Sequence, residues 1–160
     1  MNLAEVLAIY GAVLSSVLAL VKIAEFRAAN RRIVLSVYIA NLVGEGERPA
    51  DTAEFVMISV GNQGPIPLEI THIGFALNTG ASLLQLNPVP PFPRLPVVVQ
   101  PSSGLRMGFV PQKLAEALEA KPGRKPESIT RVFCSDGSSR DYSRRLSRRE
   151  RKAIRSALTE

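Results

Sequence analysis

The sequence predicts an all-β fold, an immunoglobulin-like antiparallel sandwich of about seven strands, between an N-terminal helix and a short basic C-terminal helix. Three observations carry that reading. Between residues 31 and 142 the apolar residues fall in short runs punctuated by Gly, Pro, Asn and Ser, as in all-β chains. From Val6 to Val21 there are sixteen residues without a charge (VLAIYGAVLSSVLALV). Net positive charge is confined to one end. Residues 1–120 hold 8 Lys+Arg and 9 Asp+Glu, net −1, whereas residues 121–160 hold 12 and 5, net +7, which accounts for the whole +6 of the 160-residue chain. Three segments follow: an anchor helix with its juxtamembrane stretch over 1–30, the sandwich over 31–146 and the basic helix over 147–160.

The uncharged run is just short of the roughly 17 to 20 residues that a membrane span requires. Lys22 lengthens it by snorkelling its ammonium to the interface, so Ile23, Ala24 and Phe26 join the apolar segment. A signal peptide fits less well, because Glu5 stands where a basic n-region belongs and no clear small-x-small site follows. A helix packed on the domain fits less well too. Ser15 and Ser16 are the only clearly polar members of the run, so it has no solvent face. A single span is the expectation.

Lys22, Arg27, Arg31 and Arg32 after the span, against Glu25, place the main domain on the cytoplasmic side with the N-terminus outside. The single cysteine and the lack of an Asn-x-Ser/Thr sequon agree with that side. Small residues recur in the span: Ala8, Ala12 and Ser16 every four positions, with Gly11, Ser15 and Ala19 in the adjacent row. That spacing lets two helices approach closely in lipid, so these six are the candidate self-association face.

The strands follow in order. Ile33–Leu42 puts Ile33, Leu35, Val37 and Ile39 on one face. Glu54–Val60 (EFVMISV) is the second strand. Gly61-Asn62-Gln63-Gly64-Pro65 supplies residues for a tight connection, by positive φ or fixed φ. Leu68–Leu77 changes its inward phase between Ile70 and Ile73, which predicts a bulge near Thr71 or His72. Pro88–Pro96 has five prolines in nine residues and is expected as a loop or edge, since proline has no N–H for a ladder. Leu105–Val110 alternates Leu105, Met107 and Phe109 inward. Pro111–Ala120 spaces Leu114 and Leu118 for a short crossover helix. Ile129–Cys134 and Arg140–Tyr142 close the domain as a hairpin about Asp136-Gly137. The absence of tryptophan and of a cysteine pair excludes an antibody-type domain.

With the anchor followed by Arg31-Arg32, then ISVGNQGPIPLEITHIGFAL (Ile58–Leu77) and ITRVFCSDGSSRDY (Ile129–Tyr142), the chain resembles bacterial proteins that pair an N-terminal single-span anchor with a small immunoglobulin-like sandwich. The resemblance implies a fold and a topology, and it brings no activity.

Catalytic chemistry is not expected. One histidine excludes any scheme that needs two, and one cysteine excludes a disulfide framework or a cysteine-rich zinc site. No nucleophile elbow, Ser-x-x-Lys, HExxH or phosphate loop occurs. His72 and Cys134 read as structural residues and Glu116/Glu119 as a solvated face, so no catalytic, cofactor or metal set is assigned.

The C-terminus carries the strongest polar signal. Ser147-Arg148-Arg149-Glu150 has capping-box spacing, which starts a helix reaching about Leu158 with Ala153, Ile154, Ala157 and Leu158 as its apolar stripe. Arg144, Arg145, Arg148, Arg149, Arg151, Lys152 and Arg155 are the candidate lipid- or polyanion-contacting residues. Three readings stay open for them: a solvated helix without a partner, contact with anionic lipid, and nucleic-acid binding. The functional expectation is a membrane-anchored, non-catalytic adaptor that recruits a protein partner through its edges or through Pro88–Pro96. Its alternative is a soluble nucleic-acid-associated protein whose N-terminal helix packs on its own domain or at a protein interface.

Overall fold

The computed structural model describes residues 2–28, 33–42, 53–84, 88, 90–120 and 125–159. The Arg31-Arg32 pair, and Val89 within the proline-rich segment, lie outside the described residues. Among the described residues a long helix, α1 (Leu3–Ala28), precedes eight strands: β1 (Ile33–Leu42), β2 (Ala53–Asn62), β3 (Leu68–Leu77), β4 (Ser82–Leu84), β5 (Val97–Val99), β6 (Ser103–Phe109), β7 (Ile129–Asp136) and β8 (Asp141–Arg145). Helix α2 (Pro111–Glu119) and a 3-10 turn (Pro126–Ser128) join β6 to β7, and α3 (Arg148–Thr159) ends the fold.

The strands form two antiparallel sheets. One has the order β1-β2-β6, and the other has the order β4-β3-β7-β8 with β5 beside β4 on the same edge of β3. Both sheets turn branched residues inward, and burying that apolar surface drives the domain together. Val56, Ile58 and Val60 from β2 meet Ile70, Ile73, Phe75 and Val132 from the opposite sheet. Phe75 and Phe109 pack across the interface with ring centroids 5.2 Å apart.

β2 is buried on both faces over Phe55–Ile58, which accounts for four apolar residues in a row there. Its outer residues Phe55 and Met57 lie under the proline-rich loop, where Phe92 meets the Phe55 ring edge-on at 5.4 Å. The expected bulge in β3 is present, as a register shift between Ile70 and His72 opposite β7. The short strands β4 and β5 had no counterpart in the sequence reading, because three residues carry no periodicity.

Two turns draw on residues whose part the sequence does not spell out. No described residue between Gly61 and Pro65 has a positive φ. Instead Asn62, 1% exposed, holds that connection with its side chain: Oδ1 accepts the Gly64 N–H at 3.0 Å, and Nδ2 donates to the carbonyls of Ile66 (2.8 Å) and Val99 (3.0 Å). In the closing hairpin the left-handed residue is Ser139 (φ 57°) rather than Gly137.

The register gives the sandwich two poles. Ile33, where the chain arrives from α1, stands opposite Asn62, level with the loop into β3 and the Gln100–Ser103 turn. At the other pole Ile39 pairs with Val56 and Val56 with Phe109, from which α2 starts. The 3-10 turn and α3 are at that far pole as well, with Ile154 and Ala157 of α3 sealing the core beside Leu114 and Leu118 of α2.

Candidate functional site

The residues singled out by the sequence fall on two helices and one seam. Helix α1 opens with a reciprocal cap: the Asn2 N–H donates to Glu5 Oε2 at 3.0 Å and the Glu5 N–H to Asn2 Oδ1 at 2.9 Å. Beyond it, Leu7–Glu25 is long and apolar enough to cross a membrane, with mean hydropathy 2.0 and none of it buried against the protein. Leu7, Ile9, Tyr10, Val13, Leu14 and Val17 are all exposed.

Three polar side chains farther along α1 find partners within the helix. Ser16 Oγ donates to the Ala12 carbonyl at 2.8 Å, and Lys22 Nζ pairs with Glu25 Oε2 at 2.7 Å. Ala8, Gly11, Ala12, Ser15, Ser16 and Ala19 are exposed along the helix, and a Cβ at Gly11 would meet nothing within 4 Å.

At the other end α3 begins as Ser147 and Glu150 prescribe. The Ser147 N–H donates to Glu150 Oε2 at 2.7 Å, and the Glu150 N–H donates to Ser147 Oγ at 3.2 Å. Arg144 reaches this cap from β8. Its Nη2 and Nη1 donate to Glu150 Oε1 (2.6 Å) and Oε2 (3.1 Å), and its Nε donates to the Leu35 carbonyl on β1 at 2.8 Å. The Arg144 guanidinium, helped by the Ser147 bonds and opposed by burial, draws the Glu150 carboxyl down from 4.5 to about 2.

The basic candidates therefore divide. Arg144 is a half-buried tie between two edge strands and a helix. Arg145, Arg148, Arg149, Arg151, Lys152 and Arg155 project into solvent. Arg148, Arg151, Lys152 and Arg155 recur at three- and four-residue steps, opposite the buried Ile154 and Ala157. Arg131, which the sequence reading passed over, stands directly across from Arg145, and both are exposed. Only the strand register reveals that neighbour.

The remaining polar residues serve the fold. Asp136 closes the β7–β8 hairpin: Oδ1 accepts the N–H groups of Ser138 (2.8 Å) and Arg140 (3.0 Å), and Oδ2 accepts the Tyr142 hydroxyl at 3.2 Å. Cys134 is fully buried in β7, and burial, with Asp136 and Asp141 nearby, pushes its thiol up to about 12. His72 is exposed at the bulge, with Nδ1 3.1 Å from Thr71 Oγ1. Among the described residues no group of three His, Cys, Asp or Glu is placed to hold a metal ion. In the proline-rich loop Phe92 and Leu95 pack on the core, while Pro90, Pro91, Pro93 and Arg94 are exposed.

No protein-family model matches the chain, and no curated protein matches it. Among solved structures, one similar chain is described as the X-ray structure of Northeast Structural Genomics Consortium target SoR45. It is 12% identical over 72% of this chain and 82% of that one, with a TM-score of 0.29. That score carries no structural argument, so the functional reading stands on the chain's own residues.

Proposed function

We propose that the protein is a membrane-anchored, non-catalytic adaptor in which α1 spans the bilayer and the β-sandwich is presented on the cytoplasmic side for a protein partner. The observation that carries this reading is the Leu7–Glu25 window. An exposed helix of mean hydropathy 2.0 has no favourable place in water, whereas in lipid its apolar side chains are solvated and its backbone is self-satisfied. The Lys22–Glu25 pair lowers the cost of carrying charge to the headgroup level. The Lys/Arg excess after it favours the cytoplasmic side. The six small residues along α1 offer a close-packing face for a second copy.

The domain fits the immunoglobulin-like class in its strand order as well as in its size. β1-β2-β6 corresponds to strands A-B-E, and β3-β7-β8 to C-F-G, of that architecture. Against a catalytic role, the buried thiol is held protonated, and Asp136 is spent on a hairpin. The test is to wash membranes from cells making a C-terminally tagged chain with alkaline carbonate, and then to probe the tag with protease from each side. Retention with the tag cleaved only from the cytoplasmic side is expected. Release by carbonate, or retention unaffected by deleting residues 1–26, overturns the proposal.

A further inference from the structure

Strand alternation fixes what the outer face of the larger sheet presents. Val132, Cys134 and Tyr142 pack into the core. Arg131, Phe133 and Ser135 of β7, and Asp141, Ser143 and Arg145 of β8, therefore point outward. Asp141, Ser143 and Arg145 are exposed, and Phe133 is half-buried and stands outside the core cluster.

Charge follows an order along this face. Arg131 and Arg145 share the row nearest α3, Phe133 and Ser143 the next, and Ser135 and Asp141 the third. Like charges directly opposite one another destabilise a strand pair. Among the described residues neither arginine is ion-paired with a carboxylate, and Asp141 is ion-paired with no cation. Asp141 Oδ1 accepts only a neutral partner, the Ser135 hydroxyl, at 2.5 Å.

Such a face is its own complement. A two-fold axis running across the strands at the Phe133–Ser143 row lays each strand against its own copy in reverse. Arg145 then meets Asp141 of the second copy, and Arg131 lies over the Ser135–Asp141 pair. Phe133 meets Phe133. Packed sheets cross at about 30°, which displaces rows two residues from the axis by only about 3 Å, within an arginine's reach. A closed pair requires this property, the same patch serving both partners.

The axis leaves the sheet through its β8 edge. Ile33, Val34 and Leu35, where β1 begins, line a groove with Tyr142, Ser143 and Arg144 on that edge. The two copies of β1 therefore begin on the same side of the pair, as two anchors in one bilayer require.

We infer that the outer face of β7 and β8 pairs with the same face of a second copy, Arg145 of each against Asp141 of the other across a central Phe133 contact. The pairing stands apart from the anchor reading.

The test uses the full chain in detergent, with Ser143→Cys on the axis row and a short bis-maleimide that bridges the roughly 10 Å between facing sheets. The native Cys134 is fully buried and stays unlabelled. A covalent dimer is expected from position 143 and not from Ser156→Cys, which is exposed on α3. Arg145→Asp and Asp141→Arg each set like charges against one another, so either alone is expected to lower the dimer fraction about tenfold. Together they exchange the signs and are expected to restore it, which two merely misfolded variants would not do. No link at position 143, equal linking at 143 and 156, or a double exchange that stays monomeric overturns the pairing. Dimers that survive either single change are held through α1 instead, which overturns the pairing and leaves the anchor untouched. A thiol at position 143 that stays unlinked but is shielded from maleimide by phosphatidylserine vesicles gives the face to lipid.

Discussion

Arg144 and Glu150 meet in a two-point ion pair, Nη2 to Oε1 at 2.6 Å and Nη1 to Oε2 at 3.1 Å, while the same guanidinium donates through Nε to the Leu35 carbonyl. One side chain thereby joins β8, β1 and the first turn of α3. Glu150 in turn caps that helix, so the pair couples the packing of α3 to the closure of the seam between the two sheets.

Glu150→Gln removes the ion pair and weakens the cap, with an expected loss of about 1–2 kcal/mol in urea unfolding. The pH dependence has a defined sign. The folded carboxyl is depressed from 4.5 to about 2, so its contribution is complete above pH 4.5 and drains as pH falls towards 2. The variant should flatten the stability curve in that window. A wild-type curve that is already flat there would contradict the role assigned to the pair.

Asp136→Ala leaves the Ser138 and Arg140 N–H groups and the Tyr142 hydroxyl without their acceptor. A loss of about 2–4 kcal/mol is expected, with Asp136→Asn costing less because one acceptor oxygen survives. Amide exchange at residues 138 and 140 is the local readout, and it should accelerate in the alanine variant before the rest of β7 does.

A Cβ at Gly108 would run into the ring of Phe92, and next into Met57 Sδ at 3.1 Å. Gly108→Ala is expected to cost about 1–3 kcal/mol by overpacking. Much of that should disappear in the Phe92→Ala background, where the ring is gone. Additivity of the two changes in a double-mutant cycle would mean that loop and strand do not share this contact.

The Cys134 thiol should react with a disulfide reagent only as fast as the domain opens. Its folded-state titration is pushed from 9.0 up to about 12, chiefly by burial. Folding stability is then full below pH 9 and declines as pH rises from 9 towards 12, because the unfolded thiol ionises first. Cys134→Ala should remove that component of the alkaline decline. Rapid labelling of the native chain at neutral pH would contradict the burial.

β1, β6 and β7 were legible because each buries a period-two face, with Leu35 and Val37, Leu105 and Met107, and Val132 and Cys134 pointing inward, whereas β2 was legible as the apolar run Phe55–Ile58. The β3 bulge showed as a phase change, and the α3 start as Ser147 and Glu150 three apart. What escaped the sequence reading depends on distant partners. Asn62 looked like a residue for a tight turn, but two of its bonds go to Ile66 and Val99. Arg144 read as one more cation of a basic tail, and only the folded seam brings Leu35 and Glu150 to it. Phe92 sat in a segment read as an exposed loop because its proline content says nothing about the Phe55 face it covers.

The bond from Arg144 to Leu35 has one more effect. An outer strand with open carbonyls is a template on which another molecule can build, the first step of fibril growth. Here the Leu35 carbonyl is occupied and α3 lies along the next stretch of β1. In the membrane-anchored arrangement proposed above, where neighbours would share a plane and meet often, losing Arg144 would do more than loosen one fold. It would open an adhesive margin along which molecules polymerise.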